Sequence, residues 1–317
     1  MSPTTNYIRK LTLMLLWLLA VLIIVAPYFP SLNLVTNYTI HFMGLFLGIG
    51  FIGYFLNNRQ VILTSFAIAA LLCVQLKNET DTPFTLQKDR NEKQLHIAHI
   101  NLANVSDPFE LIPALLKLDC DLISIVELTP DWEQILLSSL SEDYRFHTEM
   151  VRIDPFGKAI FSKYPILKVD TISFEETSDL LVEVLIEDQS YNIFNTYIVP
   201  PLDKTSELKA KNQLSKLTTA LQGVPHSIVL GEYNMVYWST LLKDFKTNAL
   251  LQSSRRDIIP SSLDVPRDHA FHSAEMKCLG IKDINLNDGS RAGILAKYKL
   301  NMAFPREIEP VKLSKLN

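Results

Sequence analysis

The part of the sequence that begins at residue 95 has the composition of a soluble domain, and it lacks an excess of positive charge. From residue 95 onward, 23 Lys and Arg residues stand against 30 Asp and Glu residues, which gives a net charge of −7. Domains that bind nucleic acid through its phosphates usually present a basic surface. The composition therefore argues against nucleic acid as a partner.

Cysteine is also scarce. Of the three cysteines, Cys73 lies in an apolar run, while Cys120 and Cys278 lie in the more polar part of the chain. A disulfide is permitted if that part faces an oxidising compartment. Each of the two cysteines also lies beside an apolar run, which favours two separate buried thiols.

Charged residues are absent from long stretches near the N-terminus. Residues 11–29 and 61–76 contain none, and residues 38–56 contain only one histidine. A membrane-spanning helix needs about 20 mostly apolar residues. We therefore predict three transmembrane helices, at about 11–29, 38–56 and 60–77. A cleaved signal peptide is an alternative for the first run, but no small-x-small cleavage site follows it.

The few basic residues around these runs predict an orientation in the lipid bilayer. Arg9 and Lys10 precede the first run, Arg59 lies between the second and third, and the loop at 30–37 is uncharged. Basic residues concentrate on the cytoplasmic side of membrane proteins. Three spans then place everything after Lys77 on the outer side, periplasmic or extracellular.

The rest of the chain divides into a linker, one domain and a tail. We predict a polar linker at 78–94, a domain at 95–303 and a C-terminal tail at 304–317. Within the domain, short apolar strands outnumber the helices, and Gln189-Ser190 separates two strands as in a tight hairpin. A two-sheet sandwich flanked by helices fits this pattern.

Six short motifs follow one another along the domain. They are INLA with Asn101, DLISIVELTPDW with Glu127, GKAIFSKYPI, NTYIVPP with Tyr197, GEYNMVYWS with Glu232 and Asn234, and RDHAF with Asp268. Their order and spacing resemble the endonuclease/exonuclease/phosphatase superfamily over about residues 95–300, and most of all a bacterial branch with three N-terminal spans. The resemblance implies an α+β fold, a four-layer α/β/β/α sandwich of two mixed sheets, after the three-helix transmembrane region.

The resemblance also implies a chemistry, the metal-assisted attack of water on a phosphoester. Mg²⁺ and Mn²⁺ take hard oxygen ligands. Glu127 matches the family's metal-binding glutamate, and Asn101 matches the asparagine that supports the metal. Asn234 matches the asparagine of the G-D-F-N motif, and Asp268 matches the aspartate that orients the catalytic histidine.

Other positions depart from the family pattern. Glu232 replaces the aspartate of G-D-F-N, and Tyr197 replaces the histidine of N-T-H-L. Arg291 and Ala292 stand where the closing S-D-H motif has its aspartate and histidine. We therefore expect any Mg²⁺ or Mn²⁺ to bind weakly.

Two functions remain open from the sequence. The one we favour is an outward-facing, membrane-anchored domain that has lost hydrolysis and binds a protein partner or a phosphorylated ligand in the old cleft. The alternative is an active Mg²⁺-dependent phosphodiesterase or phosphatase, in which Tyr197 and a water fill the missing roles.

Overall fold

The computed structural model describes residues 3–29, 32–78, 94–175, 177–186, 188–254 and 265–300. The helices are α1 (Pro3–Val25), α2 (Asn33–Asn37), α3 (Thr39–Phe55), α4 (Arg59–Asn78), α5 (Pro108–Leu118), α6 (Pro130–Leu140), α7 (Lys204–Leu221) and α8 (Thr240–Asn248). The strands are β1 (Leu95–Asn101), β2 (Leu122–Val126), β3 (Phe146–Met150), β4 (Lys158–Ser162), β5 (Ile166–Ser173), β6 (Ser178–Ile186), β7 (Gln189–Tyr197), β8 (Ser227–Glu232), β9 (Leu251–Ser253), β10 (Asp268–Ser273), β11 (Met276–Asn285) and β12 (Arg291–Leu300). Nearly all of the predicted linker at 78–94, and the whole predicted tail at 304–317, lie outside the described residues.

The N-terminal helices match the predicted apolar runs. The stretches Arg9–Tyr28 and Arg59–Leu76 are long and apolar enough to cross a membrane, with mean hydropathies of 2.5 and 1.7. The helix between them, Thr39–Phe55, has 17 residues and is shorter than a typical span. Length and composition therefore single out two helices, and the three-span arrangement stays a prediction.

Two mixed six-stranded sheets form the rest of the described chain. The first sheet has the strand order β11-β12-β1-β2-β4-β3, and the second has the order β5-β6-β7-β8-β10-β9. Strands β1 and β2 run parallel in the first sheet, as do β7 and β8 in the second. The prediction of an α+β fold with two mixed sheets is confirmed.

Helices cover the outer face of each sheet. On the first sheet, α5 and α6 bury apolar side chains such as Leu111 and Leu136. On the second, α7 and α8 bury Leu214 and Phe245. Side chains from both sheets form a separate cluster between them. All three cysteines are free, and Cys120 and Cys278 lie in different clusters, as separate buried thiols do.

One edge of the two sheets gathers the strand ends that matter for the site. The carboxyl ends of the parallel strands lie there, with Asn101 paired to Val126 and Tyr197 paired to Glu232. The antiparallel β10 begins at this edge, because Asp268 pairs with Glu232. The edge therefore collects residues that are far apart in the sequence.

The loop that follows β8 docks on the N-terminal helices. The indole Nε1 of Trp238 donates a hydrogen bond to the carbonyl of Thr36 at 2.8 Å. The Thr240 hydroxyl donates to the carbonyl of Pro27, also at 2.8 Å. Val236, Tyr237 and Trp238 share one apolar cluster with side chains of α1, α3 and α4. The site edge of the domain therefore faces the ends of the apolar helices.

Candidate functional site

Asn101 links the two sheets at this edge. Its Nδ2 donates to Glu127 Oε1 at 3.2 Å and to Glu232 Oε2 at 3.1 Å. Its Oδ1 accepts a hydrogen bond from the backbone N–H of Ala103 at 2.9 Å. That bond fixes the orientation of the amide, because a flipped amide would present N–H to N–H. The amino group, and not the oxygen, therefore faces the two carboxylates.

Two residues of the site have left-handed backbone conformations. Glu127 has a φ of 61° and Asn234 a φ of 55°. Asparagine tolerates this region, whereas a longer side chain such as glutamate adopts it at a cost of about 1 kcal/mol or more. The next residue is held in place, since Leu128 donates its N–H to the Gly157 carbonyl at 3.1 Å. Strain of this kind is typical of functional sites.

Asn234 ties the end of β8 to the end of β7. Its backbone N–H donates to Glu232 Oε1 at 3.1 Å, and its Nδ2 donates to the Ile198 carbonyl at 3.0 Å. Its side chain also hydrogen-bonds Tyr197. Asn101, Glu127, Glu232, Asn234 and Tyr197 therefore form one connected set.

Arg291 occupies the position beside Asp268. Its Nη2 donates to both carboxylate oxygens of Asp268, at 2.7 and 3.0 Å. Its Nε donates to Asp283 Oδ1 at 2.7 Å. Asp268 is 2% exposed, so this ion pair is largely withdrawn from water. A guanidinium stays protonated in proteins and cannot accept a proton as a histidine could.

Ala292 does not line the site. Its side chain is buried in the cluster beneath α5 and α6, on the opposite face of β12 from Arg291. Neighbouring residues of a strand point to opposite faces, so only one of the two can meet Asp268. The sequence assigns Arg291 and Ala292 to the replaced S-D-H positions, and of these two residues Arg291 faces Asp268.

Tyr197 is a neutral hydrogen-bonding group. It is 7% exposed, and burial raises the pKa of its phenol, with a smaller upward contribution from the charges of Glu127 and Glu232. The hydrogen bond with Asn234 opposes that rise in pKa. Its ring packs edge-on against Phe156 at 5.5 Å between centroids. The phenol therefore brings no positive charge to the cleft.

Burial is also the main cause of the raised pKa of the two glutamates, Glu127 and Glu232. It raises the pKa of Glu232 to about 7, with the negative charge of Asp268 as the next cause, against hydrogen bonds from Asn101 and Asn234. It raises the pKa of the half-buried Glu127 as well, against the hydrogen bond from Asn101. Near neutral pH, the Glu232 carboxyl is therefore present in both its protonated and its ionised form.

The raised pKa of Glu232 predicts a pH-dependent stability. Between its ordinary value of 4.5 and its folded value of about 7, the folded chain holds a proton that the unfolded chain has released. Stability therefore falls as pH rises through this window, by up to about 1.4 kcal/mol per pH unit. Glu232→Gln is expected to remove that slope and to be the more stable protein at pH 8, by chemical unfolding of the detergent-solubilised chain. Glu142→Gln on the surface is the control, and parallel pH profiles for Glu232→Gln and wild type would contradict the prediction.

Two residues of this region were missed in the sequence, His99 and Asp283. His99 lies between the sheets, where its Nδ1 is 3.1 Å from the Ser124 hydroxyl. Burial lowers its pKa to about 4, so it is neutral at pH 7 although it lies near Asp268. The strand alternation that places His99 on the same face as Asn101 could have indicated it. Nothing in the local sequence marks Asp283 as a partner of Arg291.

The donor set does not fit a resident divalent cation. The amide oxygen of Asn101 is taken by Ala103, and its amino group has no lone pair to offer a metal. Asp268 is engaged by Arg291, and the described residues contain no group of three His, Cys, Asp or Glu side chains that could hold a metal ion. Glu127 and Glu232 are therefore engaged by hydrogen bonds from Asn101 and, for Glu232, from Asn234.

Comparisons with known proteins agree with this fold. A sequence model of the Endonuclease/Exonuclease/phosphatase family matches residues 99–290, more than half of the chain. A family protein from Bacteroides thetaiotaomicron is 14% identical, with 69% of this chain and 99% of that one covered and a TM-score of 0.53. A comparison with curated proteins finds no match.

Two further solved structures share the fold. ANGEL2, described as a 2′,3′-cyclic phosphatase and solved with adenosine-2′,3′-vanadate, is 16% identical, with 67% of this chain and 97% of that one covered and a TM-score of 0.53. D. rerio TDP2, solved with a single-strand DNA product, is 16% identical, with 66% and 100% covered and a TM-score of 0.51. At these identities the likeness shows the fold alone, and it is the family match that assigns the sequence. The chain belongs to the Endonuclease/Exonuclease/phosphatase family.

Proposed function

We propose that this chain is a membrane-anchored member of the family that has lost hydrolysis and acts by binding a phosphorylated ligand or a protein partner in its cleft. The ion pair between Arg291 and Asp268 carries the proposal. In the family pattern this aspartate orients a histidine, and here a guanidinium engages both of its oxygens. The group that would move a proton is thereby replaced by one that holds its proton.

The remaining side chains do not compensate for that change. Positioned acid–base groups are typically worth about 10²–10⁴ in rate, and donors to developing charge about 10²–10³. Tyr197 offers a neutral phenol where the family has an imidazole. His99 is buried, its Nδ1 is 3.1 Å from the Ser124 hydroxyl, and burial lowers its pKa to about 4. A protein with these groups is suited to recognition of a phosphoryl group more than to its hydrolysis.

The competing proposal is an active Mg²⁺-dependent phosphodiesterase or phosphatase. The strained Glu127, together with Asn101 and Asn234, favours it, because a binding protein gains nothing obvious from a left-handed glutamate. A metal would have to rotate the Asn101 amide away from Ala103. We expect Mg²⁺ or Mn²⁺ to bind no more tightly than about 10⁻³ M, the weak end of protein cation sites.

A hydrolysis assay decides between the two. The full chain in detergent is incubated with Mg²⁺ or Mn²⁺ and either p-nitrophenyl phosphate or bis-p-nitrophenyl phosphate. We expect release of nitrophenol to equal that of Glu127→Gln, the matched variant that removes the family's metal carboxylate. Turnover of about 1 s⁻¹ or faster, at the low end of ordinary enzymes, that is lost in Glu127→Gln would establish the active enzyme instead.

The same proposal places the domain at the outer face of a bacterial inner or plasma membrane, anchored by three spans. The basic residues near the N-terminus and at Arg59 support this orientation. The docking of Trp238 and Thr240 onto Thr36 and Pro27 also supports it, because those residues flank the uncharged first loop. The large apolar side chains left exposed on α1, such as Trp17 and Leu18, are suited to lipid.

Reporter fusions test the topology. Alkaline phosphatase fused after Asn317 is expected to be active, because it folds only outside the cytoplasm, and a green fluorescent protein at the same position is expected to be dark. A matched pair of fusions after Arg59 should behave in the opposite way. Bright fluorescence with an inactive phosphatase at the C-terminus would place the domain inside.

A further inference from the structure

A cavity lies where the domain meets the N-terminal helices. Its volume is about 190 Å³. The helices contribute Tyr28 and Asn37 to its wall, and the domain contributes Leu202 and Asn234, among others. Because Asn234 also belongs to the connected set of the candidate site, the cavity and the site are neighbours.

Two charged residues of opposite sign line this cavity, Glu207 on α7 and Arg267 just before β10. The Oε2 atom of Glu207 is buried and has no hydrogen-bond donor within the described part of the chain. A buried carboxylate oxygen normally accepts a hydrogen bond, so this oxygen is open to a donor from a ligand. Arg267 is exposed, so its guanidinium is accessible to a ligand. The cavity thus offers one acceptor site and one cationic site.

The position of the cavity indicates where its occupant comes from. Tyr28 ends the first apolar helical stretch and is 73% exposed, and Tyr38 begins the next and is 50% exposed. Tyrosines at the ends of apolar helices are typical of the headgroup level of a bilayer. Leu202, on the domain side, is 84% exposed and lines the same cavity as Tyr28. A ligand held there would be within reach of the lipid surface.

We propose that this cavity holds the headgroup of a phospholipid that carries both a phosphate and an amine, with the phosphate at Arg267 and the ammonium at Glu207. A guanidinium binds phosphate oxygens through two parallel N–H donors, and a carboxylate accepts from an ammonium. A headgroup with a phosphate but no ammonium would bring no positive charge to the Glu207 carboxylate. The inference rests on the proposed function, since a phospholipid stays intact in the protein only where hydrolysis is lost. It names a ligand class for the cavity beside the candidate site.

Native mass spectrometry of the full chain tests this inference. The protein in mild detergent is incubated with equal amounts of phosphatidylethanolamine and phosphatidylglycerol. The retained lipid is identified and quantified from the mass of the complex. We expect phosphatidylethanolamine to be retained about tenfold more, a difference of about 1.4 kcal/mol. Arg267→Gln is expected to lower its retention at least about tenfold, because a charge-assisted bond to phosphate is lost. Glu207→Gln is expected to erase the preference between the two lipids.

Matched controls separate the outcomes. Arg145→Gln and Glu142→Gln change the same charges at exposed positions away from the cavity and should retain lipid as wild type does. Equal retention of the two lipids by wild type would overturn the inference, as would unaltered retention by a correctly folded Arg267→Gln. Binding of free phosphoethanolamine with no retention of the lipid would also overturn it. If the retained lipid appears as diacylglycerol or phosphatidic acid, the cavity assignment stands and the loss of hydrolysis is refuted. If neither lipid is retained and no hydrolysis occurs, the lipid inference alone fails.

Discussion

Replacing Arg291 with methionine is expected to destabilise the protein by about 3–5 kcal/mol, the cost of leaving one half of a buried ion pair without its partner. Asp268 is 2% exposed, and Arg291 is its only described basic partner within ion-pair distance. Methionine fills a similar volume but supplies no hydrogen-bond donor. The free energy of unfolding of the full chain, measured by chemical denaturation in detergent at pH 8, gives the effect directly.

The loss comes from the charge that Arg291→Met leaves unpaired. Without the guanidinium, the buried Asp268 carboxylate has no basic partner, and a buried charge without a partner is costly. Asp268→Asn in the Arg291→Met background removes the orphaned charge and is expected to recover most of the loss at pH 8.

The matched control is Arg152→Met. Arg152 pairs with Asp154, but both side chains are well exposed, at 41% and 39%. An exposed pair of this kind contributes about 0–1 kcal/mol. If Arg291→Met and Arg152→Met shift the unfolding midpoint equally, the structure assigns Arg291 too large a role, and the proposed loss of hydrolysis loses its main support.

The residues at the site edge were predictable because each one lies at or next to the end of a strand in its own motif. Asn101 and Glu127 follow apolar strands that read clearly in the sequence, and parallel strands bring their carboxyl ends to one edge. The hydrogen bonds from Asn101 to Glu127 and Glu232 agree with that expectation. The family resemblance predicted that residues of the second sheet lie at the same edge. Local sequence patterns do not show which strand ends of two different sheets lie together.

The pairing across β12 was not predictable in the same way. Motif alignment treats Arg291 and Ala292 as one unit, whereas the pleat of the strand sends them to opposite faces. Asp283 joins Arg291 only because β11 and β12 are neighbouring antiparallel strands, with Asp283 opposite Ile294. Register of this kind depends on tertiary packing, so the sequence shows the charges but not their partners.

Trp238 illustrates a role that the motif conceals. The sequence places it in the turn after Asn234. The structure packs it against the N-terminal helices, with its indole bonded to Thr36, 202 positions earlier in the chain. Contacts between the domain and the N-terminal helices join segments with no local pattern in common, and only the assembled fold brings them together.

Replacing Gly293 with alanine is expected to destabilise the protein by about 3 kcal/mol or more. A Cβ at this position would lie 1.9 Å from the carbonyl oxygen of His99. The obstacle is backbone of the central strand β1, with which Gly293 pairs through Ile100, so no flexible side chain can move aside. Overpacking a well-packed interior typically costs about 1–3 kcal/mol, and more where backbone must shift. Thermal unfolding of the full chain in detergent measures the loss.

Gly280→Ala provides the matched control for the same substitution in the neighbouring strand. Nothing lies within 4 Å of a Cβ built on Gly280. Its expected change in stability is within about 0.5 kcal/mol, as for substitutions away from packed features. Gly293 is two residues from Arg291, so a displaced β12 should also weaken the ion pair between Arg291 and Asp268 in Gly293→Ala alone. Equal unfolding temperatures for the two variants would show that β12 does not approach β1 as closely as the fold requires.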